Sequence, residues 1–342
     1  MGKFTVQSYE AKINEIYETC REYLNNVDKY LKIPKKQILE HVFQIQDIRL
    51  LKKEIEKYKW GVLEALESYV EFPAYLFKEK LFSARAPRGK QSRKFIRNNI
   101  LLIKKAVAIQ ETFSENFAKE PELEFLKNLW KGKLEAFLTE VRLEINSSIN
   151  LEALEQFLAK RNIFIFYFYG ATISGLATKN FIFINGGESK ARQIWTLFHE
   201  LLHILNRDFA FRTPGDKKES QHEEEVGSFL IEDFLPKHIN DIKPEEVDYI
   251  VEEVFEKNPL KIHKYAIEKW ISKKIKRRLK FERFYKRGKK QNLKEEEFKL
   301  IPSQSYLELI DSIKGEDLEV YASLLGLSLE ELLMEQPDIL EV

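Results

Sequence analysis

Three features of the sequence predict an α+β fold. Apolar residues recur at helical spacing over residues 8–31, and similar periodicity continues to about residue 145. Two short aromatic runs then break the pattern, IFIFYFY at 163–169 and FIFIN at 181–185, each followed by glycine. Helical periodicity returns at Ser189 and holds over most of the remaining chain. Helices first, then two strands, then helices again is the order of an α+β protein rather than of alternating β-α units.

Each element follows from local chemistry. Pro34 suits the first turn of a second helix, which runs through Ile38, Leu39, Val42, Phe43, Ile48, Leu51 and Ile55. A third helical stretch covers about 60–82. Ser83–Gly89 carries small and breaking residues and is predicted to be a loop. Helix resumes from 91 to 145, and Asn150 is placed to cap a helix through Leu151, Leu154, Phe157 and Leu158. Between the two aromatic runs, residues 171–180 are small and polar, with a turn predicted at Gly175. After Pro236 the chain is again helical, ending in two short helices joined near Gly326. Three regions result: a helical region at 1–148, a central α+β domain at 149–240 and a helical region at 241–342.

Composition narrows the class. Of 342 residues, 44% are hydrophobic, enough for a substantial core, so global disorder is excluded. The formal net charge of +1 denies the whole molecule polyelectrolyte character. One cysteine, Cys20, excludes an internal disulfide and a thiolate-rich zinc site. Ile13, Ile16, Tyr17, Tyr23, Leu24 and Val27 share its helical face, so it is predicted to be core. No apolar run approaches the ~20 residues of a membrane span, and the first residues lack the pattern of a secretory signal. A cytoplasmic location is the expectation.

The chemistry concentrates at residues 199–203, His-Glu-Leu-Leu-His. On a helix, positions i and i+4 share a face, so His199 and His203 can offer imidazoles to one zinc ion. Glu200 is turned about 100° away, beside the metal, where a general base acting on water belongs. A catalytic zinc needs a third protein ligand, and a later helix supplies candidates. Glu223 lies twenty residues past His203 and at i+3 from Val226; Glu224 and Glu225 are the alternatives. The strand Phe181, Ile182, Phe183, Ile184, Asn185 is expected at a sheet edge, where it would bind an extended peptide substrate by strand addition. His222, Tyr169 and His238 are further candidates for stabilising an oxyanion.

These segments resemble the ImmA/IrrE-type zinc endopeptidases. The helix RQIWTLFHELLHILN from Arg192 is similar to the family's "FTLAHELGHLL", and EEEVGSFLIEDFLP from Glu223 is similar to "ExxANxFAAxLLMP". Ile173-Ser-Gly-Leu with FIFIN looks like the family's strand pair. The likeness is strongest over 150–236. It implies a minimal zincin-like core, a small sheet plus the histidine-bearing helix, with zinc on His199, His203 and Glu223 and with Glu200 as base. The substrate class it implies is a regulatory protein, such as a helix-turn-helix repressor or an antitoxin-like partner, in transcription, stress, prophage or toxin–antitoxin switches. Two positions depart from the pattern. Leu202 stands where the family has glycine, and Val226-Gly227 stands where it has Ala followed by Asn or Asp, a polar partner for a ligand histidine.

Two basic segments add a second expectation. Residues 78–105 hold ten Lys/Arg against Glu79, and 273–290 hold eleven against Glu282, with aromatics interleaved. Such clusters can contact nucleic acid. The rival functional class is therefore a non-catalytic, zinc-binding or DNA-binding regulator that keeps the peptidase fold.

Overall fold

The structure, a computed structural model, describes residues 6–77, 80–86, 92–213, 215–236, 246–274, 297–314 and 316–335. The N-terminal region comprises α1 (Val6–Asn26), α2 (Lys35–Phe43), α3 (Leu51–Tyr58) and α4 (Gly61–Val70), then strand β1 (Phe82–Arg85) and the long α5 (Arg93–Phe117). Helices α6 (Leu123–Lys131), α7 (Lys133–Ile145) and α8 (Leu151–Ala159) lead to β2 (Phe164–Tyr169), β3 (Gly175–Thr178) and β4 (Phe181–Asn185). Next come α9 (Lys190–Asn206), β5 (Phe211–Arg212), α10 (Lys217–Ile231), α11 (Val247–Lys257) and α12 (Lys264–Lys274). Strand β6 (Lys299–Pro302) and helices α13 (Gln304–Ile310), α14 (Leu318–Leu325) and α15 (Leu329–Glu335) complete the described chain.

The six strands form one mixed sheet in the order β5-β1-β3-β4-β2-β6. β2 and β4 run parallel, with Phe166 opposite Phe183, while β3 is antiparallel to both β4 and β1. The sheet thus takes β1 from the N-terminal region and β6 from the C-terminal region. The fold is α+β with helical flanks and a zincin-like core, as the sequence predicts.

Both aromatic runs are strands because their side chains alternate across a sheet covered on both faces. Phe164, Phe166, Phe168, Phe181 and Phe183 pack with α1–α5, α13 and α14. Ile165, Ile182 and Ile184 face the other way, onto α7–α12. Alternation normally writes polar residues on one face; here helices cover both, so the runs are apolar throughout.

Three expectations are corrected. Ser83–Gly89 was predicted as a loop, yet Ser83, Ala84 and Arg85 belong to β1. A turn was predicted at Gly175, yet Gly175 opens β3 (Gly175–Thr178), a strand that only the resemblance through Ile173-Ser-Gly-Leu implies. Neither segment carries a strand pattern of its own; each is held by pairing, with Ala84 opposite Leu176 and Gly175 opposite Ile184. The third concerns Phe181, Ile182, Phe183, Ile184 and Asn185. They lie inside the sheet, bonded to β3 on one side and β2 on the other, and all five are buried. β4 has no free edge to offer a peptide.

Candidate metal centre

The histidine-bearing helix is well defined at both ends. Ser189 precedes it in extended conformation, and Arg207 closes it in the left-handed region at φ 50°, its N–H donating to the carbonyls of His203 and Ile204. That turn brings the Asp208 carbonyl 3.1 Å from His203 Nδ1. A carbonyl only accepts, so Nδ1 carries the proton and Nε2 keeps its lone pair for a metal. The polar partner that Gly227 does not provide to a ligand histidine is thus supplied by backbone. Leu202 is buried in the core shared by α9 and α10.

His199 Nε2 and His203 Nε2 stand 3.3 Å apart. The carboxylate that meets them belongs to Glu219, with Oε2 3.2 Å from His199 and Oε1 3.4 Å from His203. A tetrahedral zinc with bonds of about 2.0–2.1 Å spaces its donors about 3.3 Å apart. The imidazole separation fits that geometry, the two Glu219 oxygens bring the carboxylate within reach of both rings, and all three residues are at most 9% exposed. Among the described residues, His199, His203 and Glu219 form one of two groups able to hold a metal ion. Burial pushes the Glu219 carboxyl up, but hydrogen bonds and charge from both imidazoles outweigh it and hold it well below the usual carboxylate range. Burial lowers the His199 pKa, favouring the neutral form that ligates.

Glu223, expected as the third ligand, is elsewhere. Its Oε1 pairs with Arg85 at 2.5 Å and its Oε2 lies 3.6 Å from Lys269 of α12. Glu219 sits one turn earlier on the same face of α10, and it is this first turn that crosses the imidazoles. A signal for it was present. The buried stripe containing Val226 runs back through His222 to Glu219 at steps of four and three. Glu224 and Glu225 do not join the group either.

Glu200 is 6% exposed, and its Oε2 accepts no hydrogen bond among the described residues. Burial, then the charge of Glu219, raises its pKa well above the usual range, with Arg85 opposing. Glu200 opens onto a cleft of about 380 Å³, also lined by His199, Arg85, Thr172, Ser174, Gly175 and Glu223. Arg85, on β1, is a cleft residue that the sequence reading did not single out.

His222 does not line that cleft. It packs on His203, ring centroids 4.5 Å apart, with Nε2 3.6 Å from Asp208 Oδ2. Burial, then the charges of His203 and His199, pushes its pKa down to about 4, so the ring is neutral. Tyr169 is also absent from the cleft, its ring filling the space beside Gly186. His238 lies outside the described residues.

Arg212 braces the centre. Its guanidinium is 2.5 Å from Asp208, 3.3 Å from Asp216 and 3.5 Å from Glu219. Of the basic segment 78–105, Arg85, Arg97 and Lys105 each face an acidic partner within the chain. Residues 275–290 of the other basic segment lie outside the described residues. No helix among the described residues is long and apolar enough to cross a membrane.

No curated protein and no solved structure matches the chain. Residues 160–240 do match the family model of the IrrE N-terminal-like domain, Peptidase M78. That span contains β2, β3, β4, α9 and α10, and with them both histidines, Glu200 and Glu219. Over this central segment the chain is similar to the ImmA/IrrE-type peptidases.

Proposed function

We propose that the protein is a zinc-dependent endopeptidase that cleaves a regulatory protein, a helix-turn-helix repressor or antitoxin-like partner. The observation that carries the reading is the convergence of the His199 and His203 Nε2 atoms, 3.3 Å apart, on the Glu219 carboxylate, whose two oxygens lie 3.2 and 3.4 Å from them. Those three residues would hold the ion, with Glu219 in place of Glu223. Zinc bound there supplies a Lewis acid for the scissile carbonyl and makes water more acidic. Glu200 takes the proton of the attacking water on its unpartnered Oε2 and delivers it to the leaving amine. Low exposure keeps bulk water from competing for that proton, and Arg85 adds a cation at the cleft wall. The substrate backbone lies along Thr172–Gly175, which lines the cleft, since β4 is enclosed.

The test uses purified full-length protein and its Glu200→Gln variant, each loaded with zinc and incubated with lysate of the source cells. New N-termini are mapped by mass spectrometry. Both proteins should retain one zinc per chain, while a small set of cleavages in regulatory proteins appears only with the unaltered protein. Cleavages of equal extent with Glu200→Gln would show that Glu200 is not the base.

A further inference from the structure

Beside the catalytic cleft lies a second cavity of about 400 Å³, lined by Trp195, Ile262, Tyr265, Ala266 and Trp270 with a polar rim. It shares Arg192, Trp195, Glu223, Tyr265 and Lys269 with the cleft that holds His199 and Glu200, so the two spaces adjoin across those side chains. The rim is charged: Glu223 stands between Arg85 at 2.5 Å and Lys269 at 3.6 Å. The interior is aromatic and aliphatic. A polar mouth with an apolar interior suits a side chain whose own backbone stays in the polar cleft.

The aromatic wall exists because of one residue of α10. A Cβ on Gly227 would stand 2.8 Å from Trp270 Cε3 and 3.0 Å from Cζ3, so glycine is what lets the indole lie against that helix. Trp270 is 6% exposed, whereas Tyr265 at 55% stands at the opening. Both belong to α12, which follows the family-matched span of 160–240. Gly227, which departs from the family pattern, and α12, which lies beyond the match, together build this cavity.

We infer that this cavity is a specificity subsite, taking one large apolar side chain, aromatic or leucine-like, of the protein substrate beside the scissile bond. The inference rests on the peptidase reading for its biological sense, but binding in the cavity requires neither metal nor turnover.

The full-length protein is labelled with 5-fluorotryptophan, giving four fluorine resonances for its four tryptophans. Trp195→Phe and Trp270→Phe assign the two of interest. N-acetylphenylalaninamide should move the Trp195 and Trp270 signals saturably and leave those of Trp60 and Trp130 in place. N-acetylglycinamide and N-acetylaspartamide should bind at least about ten-fold more weakly, the loss expected when a buried aromatic contact is missing. Ala266→Trp should fill the cavity and abolish the shifts. Tyr265→Ala, at an exposed position that does not threaten folding, should weaken them several-fold. The subsite is wrong if the glycine or aspartate amide binds as well as the phenylalanine amide. It is equally wrong if no saturable shift occurs, or if the shifts survive Ala266→Trp. A protein that binds the phenylalanine amide but holds no zinc would sink the peptidase reading and leave the subsite standing. Zinc and cleavage without this binding would do the reverse.

Discussion

Gly175 of β3 and Glu200 of α9 touch so closely that a Cβ on the glycine would stand 2.8 Å from Glu200 Oε1. The same Cβ would lie 2.4 Å from Thr196 Cγ2. The strand therefore sets the position of the proposed base, and no side chain fits between. Gly175→Ala should cost about 1–3 kcal/mol of stability through overpacking. It should also displace Glu200 and lower cleavage by about 100-fold, because such chemistry tolerates little misplacement. Zinc content should remain at one per chain, since His199, His203 and Glu219 are not touched. Metal analysis, thermal unfolding and a cleavage assay together check the three outcomes.

The choice between two glutamates is directly testable. Glu219→Gln removes the carboxylate that meets both imidazoles, and zinc affinity should fall by at least about 100-fold. Glu223→Gln breaks only the pairs to Arg85 and Lys269, and zinc affinity should change by less than about three-fold. Competition with a chromophoric chelator measures both. Equal loss in the two variants would overturn the assignment of Glu219.

What was legible in the sequence followed from strong local periodicity. The i, i+4 histidines needed only a helix to be brought together, and the apolar helix around them is unmistakable. β2 and β4 were legible because aromatic and β-branched runs of that length have few other uses. By contrast, local pattern does not reveal β1 or β3: SAR or GLAT says little before the partner is known, and β3 was legible only through the family resemblance of Ile173-Ser-Gly-Leu. Glu219 was missed because its helix begins just before it. Where an amphipathic stripe starts depends on how α10 crosses α9, and spacing along the chain does not contain that angle. Arg85 reaches the site from 114 residues before His199, a juxtaposition only the sheet order β1-β3 creates.

Arg212 is nearly buried, 6% exposed, and is surrounded by Asp208, Asp216 and Glu219. Removing its charge leaves three carboxylates close together, with Lys218, 3.8 Å from Asp208, as the nearest remaining Lys or Arg partner among the described ion pairs. Arg212→Gln should destabilise the protein by about 3–5 kcal/mol, the usual cost of breaking a buried ion pair from one side. Arg212→Lys should recover part of the loss, because a single ammonium cannot span all three partners. Denaturant melts of the metal-free protein give both numbers. A loss below about 1 kcal/mol for the glutamine variant would show that solvent screens this network.

Gly227 and Trp270 should behave as a coupled pair. Gly227→Ala alone drives a methyl into the indole and should cost about 1–3 kcal/mol. Trp270→Ala alone empties part of the core and should cost about 3–5 kcal/mol. In the double variant the methyl no longer meets the ring, so the combined loss should fall short of the sum by about 1 kcal/mol or more. Additive losses would mean that the helix backbone shifts to accommodate the methyl, and that the glycine is not required for the packing of α12.

Cys20 is fully buried within α1, and burial, with a smaller push from the Glu67 charge, raises its pKa to about 12. At pH 8 the folded protein should therefore resist a thiol-specific disulfide reagent and react promptly only after denaturation. The raised pKa also sets a sign for stability. From the ordinary thiol value of 9.0 up to about 12, the unfolded chain loses a proton that the folded chain keeps. Unfolding releases that proton, so stability falls as pH rises through this window, by about 1.4 kcal/mol per pH unit from this group. Tyr23, whose hydroxyl donates to the Phe72 carbonyl and whose pKa is also raised by burial, adds to the same slope above its own ordinary value of 10.0. Cys20→Ala should therefore reduce the loss of stability between pH 9 and 10, where Tyr23 contributes little, and leave a residual slope above pH 10. Denaturant melts across that range would refute the buried thiol if the variant and the unaltered protein gave parallel curves.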